Sequence, residues 1–354
     1  MGDLVLLGAG ASVEAGVPAA FGMTDAIRQR LEGQKHDGVD LGRVLDFACE
    51  RLSSHAGHSV LDVERVFSAI EMLSERETLE VSPFVEQWSR DVWPRHRGLG
   101  DESSDTVYAA LRDRMLTELR ELVATTWKRT SYLEPLVRFA AHPRRAMIAT
   151  LNYDLSIEGA GEAAGIEVHT GINQWVDSGG WDWPIEGVRL LKLHGSIDWA
   201  WEDDLPEGGR LPSRYVRQVP AATSGVRAPA MVFGLRGKLR AEGPFLSLLA
   251  EFESHLEMSS RLVVIGYSFR DDHVNQAIRR WTFEDRGKQI VLIDPGIPAE
   301  TPRRSREMPF RDSLLACLDE GVPDGRSKTT LKLIREPATI GIRRLFGRDT
   351  ERAD

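Results

Sequence analysis

Five short apolar runs punctuate the chain, and each stops at a small or polar residue. They are Leu4-Val5-Leu6-Leu7 before Gly8, Ala146-Met147-Ile148-Ala149-Thr150-Leu151 before Asn152, Leu190-Leu191-Lys192-Leu193 before His194, Leu262-Val263-Val264-Ile265 before Gly266, and Ile290-Val291-Leu292-Ile293 before Asp294. Runs of this length with little polar alternation are the pattern of strands covered on both faces, as in a parallel sheet. In parallel α/β sheets ligands bind beyond the carboxyl ends of the strands, where these runs place their polar residues. Between about residues 35 and 140 the pattern changes to helical spacing, with Val44, Leu45, Ala48 and Leu52, then Val63, Val66, Phe67 and Ile70. Such stripes are helix faces buried against neighbours. The fold class so read is α/β, a Rossmann-like parallel sheet with a helical insertion.

The same pattern organises the chain. One catalytic or binding domain is expected over residues 1–300, interrupted by the helical insertion at about 35–140 and by an irregular excursion at about 199–243. Pro206, Gly208, Gly209, Pro212, Pro220 and Pro229 break that excursion, which would cover the site or govern access to it. Gly98 to Asp105 reads as a loop within the insertion. A tail over 301–354 holds Thr301-Pro302-Arg303-Arg304-Ser305-Arg306 and a helix candidate at Ser313–Leu318. It is either a solvated linker with a packing helix or a docking segment.

The first run carries the most chemistry. Gly8-Ala9-Gly10-Ala11-Ser12, followed by Ala15-Gly16-Val17-Pro18, reads as strand, tight turn and helix start, the geometry that cradles a pyrophosphate. Taken alone it is equally an ordinary βα turn. A hydride-transferring dehydrogenase would need a second strand ending in Asp or Glu about twenty residues on. The polar segment Glu32 to Gly38 stands there instead.

Composition narrows the class further. A net charge of −9 argues against broad nucleic-acid affinity, although a local basic patch stays open. No stretch of about twenty apolar residues occurs, and the start of the sequence does not read as a signal peptide. With two cysteines, a cytoplasmic location is expected.

At these blocks the sequence resembles the sirtuin-like NAD-consuming family. Gly8 to Ser12 looks like its phosphate-binding opening, Thr150-Leu151-Asn152-Tyr153-Asp154 like its Thr-x-Asn-x-Asp motif, His194-Gly195 like its His-Gly pair, and Gly266-Tyr267-Ser268 like its later Gly-x-Ser turn. The resemblance implies NAD as substrate. It assigns Asn152 and His194 to catalysis, and Gly8, Ala9, Gly10, Ser12, Asp154, Gly266, Ser268 and Asp294 to NAD binding. Sirtuin deacylases carry a zinc ribbon with four cysteines, whereas this chain has only Cys49 and Cys317 and no Cys-x-x-Cys. No zinc or other resident metal is therefore expected, and the deacylase reading recedes. The blocks look most like the bacterial antiphage-defence branch, which implies a regulated NAD hydrolase, self-assembly into oligomers, and a partner such as a hexameric ATPase of the HerA type.

Residue chemistry supports and limits these roles. Asn152 offers both an amide carbonyl and an NH₂ to a ribose hydroxyl and a water. His194 carries an imidazole, a side chain suited to a general base. Asp154 is either a helix N-cap or a ribose contact, and Ser12 either a cap or a phosphate ligand, or both. Asp271, Asp272 and His273 read as a helix start before they read as a metal cluster. The expected function is NAD glycohydrolase. The alternatives are ADP-ribosyl transfer, protein deacylation, or a non-catalytic nucleotide-sensing module.

Overall fold

The structure is a computed structural model that describes residues 2–18, 20–56, 61–75, 104–124, 129–143, 145–204, 213–219, 229–233, 243–284, 287–300, 302, 308–319 and 329–350. By internal contacts it divides into two units, one of residues 1–17, 125–231 and 240–354, the other of residues 18–124 and 232–239.

The larger unit holds a seven-stranded parallel sheet. Its strands are β1 (Asp3–Leu7), β4 (Ala146–Thr150), β5 (Val168–His169), β6 (Val188–Lys192), β10 (Arg261–Ile265), β11 (Gln289–Ile293) and β12 (Thr330–Ile334), in the order β12-β11-β10-β1-β4-β6-β5. All neighbouring pairs run parallel. The five apolar runs are the five inner strands, and β1, β4, β10 and β11 are buried almost end to end. That burial is why they show no alternation: helices cover both faces of a parallel sheet, so both sets of side chains must be apolar. Val5, Leu7, Ile148, Leu190, Val263, Ile265, Val291 and Ile293 lie in one core cluster with Leu136, Val137, Ile342 and Phe346.

After β1 the chain moves to β4 and β6 on one side, then returns to β10 on the other. The carboxyl end of β1 is thus the point where strand order reverses, and loops leaving neighbouring strands there part to opposite faces. The Rossmann-like expectation therefore holds, and it locates the crevice.

Residues 199–243, expected to be irregular, contain an antiparallel sheet in their described part. Here β7 (Gly195–Asp204) pairs with β8 (Ser213–Gln218) on one side and with β9 (Pro229–Met231) on the other. The prolines and glycines that suggested irregularity fall between these strands or at their ends.

The smaller unit is mainly helical: α1 (Ala20–Leu31), α2 (Leu41–Ala56), α3 (Val63–Ser74) and α4 (Ser104–Val123), with a hairpin of β2 (Lys35–His36) and β3 (Val39–Asp40). Of the expected stripe, Val44, Leu45, Ala48, Val63, Val66, Phe67 and Ile70 are buried, whereas Leu52 is half-buried. Asp62 caps α3 by accepting the Glu64 N–H at 2.8 Å. The loop expected at Gly98–Asp105 lies outside the described residues up to 103, and α4 opens at Ser104. In the tail, the helix candidate falls within Phe310–Asp319, whereas the basic run 301–306 is outside the described residues except at Pro302. Among the described residues no helix is long and apolar enough to cross a membrane.

Candidate functional site

Hydrogen bonds continue the ladder past the strand ends and gather the turns. Leu151 N–H donates to the Leu7 carbonyl at 3.0 Å, Leu193 N–H to Thr150 at 3.0 Å, Gly8 N–H to Ile265 at 2.9 Å, and Gly266 N–H to Ile293 at 3.0 Å. Residues 8, 152, 194 and 266 therefore emerge at the same end of the sheet.

The glycine loop is held against the turn after β10. Gly10 N–H donates to the Gly266 carbonyl at 2.9 Å. A Cβ on Gly8 would lie 2.5 Å from Tyr267 Cα, and one on Gly10 2.8 Å from Gly266 Cα. Gly266 itself has φ +62°, and its Cβ would overlap the Gly10–Ala11 backbone. The loop amides of Gly8, Gly10, Ala11 and Ser12 all donate to backbone carbonyls. The glycines are thus required first by the close crossing of two backbones. Gly8→Ala is expected to destabilise the protein by about 1–3 kcal/mol, because backbone rather than a flexible side chain must yield. Gly22→Ala, where the nearest atom to a new Cβ is 3.8 Å away, is the control expected to be neutral or stabilising in the same denaturation measurement.

Asn152 is tied into this loop. Its Nδ2 donates to the Gly8 carbonyl and to Ser12 Oγ, both at 2.9 Å, and its backbone N–H donates to Thr150 Oγ1 at 3.0 Å. Both hydrogens of the amide are therefore spent inside the protein, and the carbonyl Oδ1 is the end left for a ligand. This revises the picture of an amide offering both ends. Ser12, 4% exposed, makes no side-chain cap bond to the short helix that follows it and instead receives Asn152. Tyr132 OH fixes the same loop by donating to the Ala11 carbonyl at 2.5 Å, and burial raises its phenol pKa well above the ordinary range.

Asp154 is 6% exposed and accepts the Ser156 N–H at 2.9 Å, at the start of α6 (Ser156–Ala164), where α5 is Glu134–Ala141. That bond lies one residue ahead of the helix N-cap, Leu155. The Asp154 carbonyl accepts Lys192 Nζ at 2.6 Å, and the same ammonium reaches Glu158 Oε1 at 2.8 Å. Lys192 is fully buried. Burial raises the Glu158 carboxyl pKa, and Lys192 offsets part of that rise. The pair anchors the Asn152–Asp154 turn to β6.

His194 leaves β6 buried, 7% exposed, with Nε2 2.9 Å from Asp271 Oδ2. Gly195 beside it has φ +81°, and a Cβ there would overlap the Ala230 carbonyl of β9, so the His-Gly pair has a packing reason for its glycine. The Tyr153 ring lies 6.2 Å from the imidazole. Asp271 stands one residue before the helix Asp272–Glu284, which becomes α9 once α7 (Ile172–Ser178) and α8 (Phe245–Met258) are counted. Its Oδ1 accepts the N–H groups of His273 at 3.1 Å and Val274 at 3.3 Å. The capping reading of Asp271 is thus correct, and its contact with His194 is what the sequence did not show. Only its place in the turn after β10, at the same end of the sheet, hinted at it.

Two further candidates stay apart. Ser268 is exposed in the turn after β10, and Asp294 accepts the Gly296 N–H at 2.6 Å in a local turn after β11. Among the described residues no hydrogen bond joins either to Asn152 or His194. Ala9 is exposed on the glycine loop.

Residues 146–311 match the family model of the SIR2-like domain. That span contains Asn152, Asp154, His194, Gly266, Ser268, Asp271 and Asp294, but not the glycine loop after β1. Among solved structures the chain is similar to Sir2Tm bound to a propionylated peptide, at 13% identity over 99% of this chain and 93% of that one, with a TM-score of 0.42. It is also similar to a Sir2 homologue in complex with NAD, at 14% identity over 99% and 91%, TM-score 0.40. A third is Sir2 bound to an acetylated peptide, at 13% identity over 99% and 93%, TM-score 0.41. No curated protein sequence matches the chain. Fold and match together define an α/β protein with a Rossmann-like sheet and a SIR2-like segment.

Proposed function

We propose that this protein hydrolyses NAD to nicotinamide and ADP-ribose. The observation that carries the proposal is the bonding of Asn152 to Gly8 and Ser12, residues more than a hundred positions away, within the crevice where the sheet reverses. The glycine turn and a residue able to hold a water are thereby fixed to each other. Asn152 Oδ1 then accepts from the attacking water or a ribose hydroxyl, and His194 takes the proton.

The step balances. The bond between ribose C1′ and the nicotinamide nitrogen breaks, with its electron pair going to nicotinamide. The water oxygen bonds to C1′, and the water proton passes to His194 and then to solvent. The positive ribose of the transition state favours carboxylates and carbonyls nearby over further cations. Ala9, Gly10 and Ser12 line the pyrophosphate in this reading, with Gly266, Ser268 and Asp294 toward the ribose and adenine side. The resemblance to the antiphage branch extends the proposal to a regulated cytoplasmic effector that depletes NAD and is switched by self-assembly or by a partner such as a HerA-type hexameric ATPase.

The test is chromatography of NAD incubated with the protein, alone and with proteins encoded beside its gene. Nicotinamide and ADP-ribose are the expected products, and Asn152→Ala is expected to lower kcat about 10²-fold by misplacing the water. Intact NAD despite measured binding would overturn hydrolysis in favour of a sensing module. ADP-ribose found on an acceptor would make the protein a transferase.

A further inference from the structure

The structure assigns to Asp271 a positioning role in which it fixes the tautomer of His194, making Nδ1 the nitrogen that accepts the proton. This rests on the proposed hydrolysis for its catalytic consequence, but not for the assignment itself.

A carboxylate oxygen can only accept, so the 2.9 Å contact between His194 Nε2 and Asp271 Oδ2 requires the proton to sit on Nε2. In the neutral imidazole the lone pair is then on Nδ1. Several features keep Asp271 ionised and oriented. Its Oδ1 receives two amides at the start of α9, where the helix dipole favours negative charge. Its own N–H donates to Tyr267 Oη at 3.1 Å, and that hydroxyl faces both the Asp271 carbonyl at 3.1 Å and Asn275 Oδ1 at 3.0 Å. Asn275 Nδ2 in turn donates to the Phe269 carbonyl at 2.9 Å.

The turn that carries Asp271 is therefore tightly specified. It includes Phe269 at φ +57°, an unusual conformation for a buried non-glycine residue, held by Asn275 on one side and the Tyr267 ring 4.7 Å away on the other. Backbone held so far from its common conformations persists only where the surroundings over-determine it. Here the outcome is one carboxylate oxygen for the helix and one for the imidazole. The arrangement also holds a negative charge beside His194 when it becomes an imidazolium after taking the proton.

Asp271→Asn tests this without removing the cap, because Asn serves as well as Asp at a helix N-terminus. With its carbonyl kept on the α9 amides, the Asn NH₂ faces His194 and donates to Nε2, forcing the proton onto Nδ1. Nitrogen NMR of ¹⁵N-histidine-labelled full-length protein, assigned with His194→Ala, reads the tautomer directly. The expected result is Nε2–H in wild type and Nδ1–H in Asp271→Asn. Wild-type protein with Nδ1–H, or one tautomer in both proteins, would overturn the assignment.

In turnover, Asp271→Asn is expected to lower kcat roughly 10²–10⁴-fold with KM little changed. An unchanged kcat would overturn the positioning role. The NMR result stands whether or not NAD is cleaved, so absence of wild-type turnover would sink the hydrolase reading and leave the Asp271–His194 assignment to be judged on its tautomer alone.

Discussion

His194→Ala is expected to slow nicotinamide release from NAD about 10²–10⁴-fold, the usual contribution of a positioned general base. The loss should fall on kcat. The glycine loop and Asn152 are bonded to each other through Gly8 and Ser12 rather than through the imidazole, so the proposed nucleotide cradle survives the substitution. The fold should survive as well, since Asp271 keeps the amides of His273 and Val274 when the imidazole is gone. Steady-state rates at saturating NAD, with thermal denaturation of the same samples, check both halves of the statement. A wild-type rate in the variant would remove His194 from the chemistry.

Lys192→Met should have the largest effect on stability, about 3–5 kcal/mol near pH 8, because it leaves the Glu158 carboxylate covered and without its cation. The Asp154 carbonyl also loses its 2.6 Å donor. The pH dependence has a definite sign. Burial already holds the Glu158 carboxyl above its ordinary pKa, so the folded protein binds this proton more tightly than the unfolded chain. The associated stability is fully present below the unfolded value and is lost as pH rises through the folded one. Removing the lysine pushes the folded value higher still. The penalty should therefore be smaller near pH 5, where Glu158 can take up a proton, than near pH 8. Glu158→Gln in the Lys192→Met background should recover much of the loss, since replacing both partners removes the unpaired charge. Denaturant unfolding of the three proteins at the two pH values makes the comparison, and equal losses at both would show that Glu158 does not carry the effect.

Most of the sheet is legible in the sequence because a strand covered on both faces has only one solution, an unbroken apolar run. Leu4–Leu7 and Leu262–Ile265 could hardly be anything else. Helical stripes such as Val63, Val66, Phe67 and Ile70 are legible for the matching reason, one face against a neighbour. The β7–β8 sheet was not. Its strands carry Asp198, Glu202 and Arg217 among the apolar positions, and they gain from cross-strand contacts such as Tyr215 Oη to Glu202 at 2.9 Å, which no local pattern encodes.

The site divides along similar lines. Asn152 and His194 are visible because each stands two residues past a strand end. Asp271 was visible only as a cap, because its second role depends on a residue 77 positions away. Lys192 closes the apolar run of β6, and a buried ammonium at the end of such a run is itself a signal that a buried partner exists. The glycines gave the subtlest result. A phosphate-binding turn and a tight backbone crossing ask for the same residue, so Gly8 and Gly10 cannot distinguish them by type.

That crossing also sets an order in time. β1 is synthesised well before Gly266, which closes its loop, and His194 waits for Asp271. A nascent chain halted before residue 260 has the glycine turn, Asn152 and His194 but nothing to brace the first against or to hold the proton of the last. Contacts separated by so much chain form late. Any activity built on this crevice is therefore withheld until the turn after β10 has been synthesised and has folded back against the glycine loop.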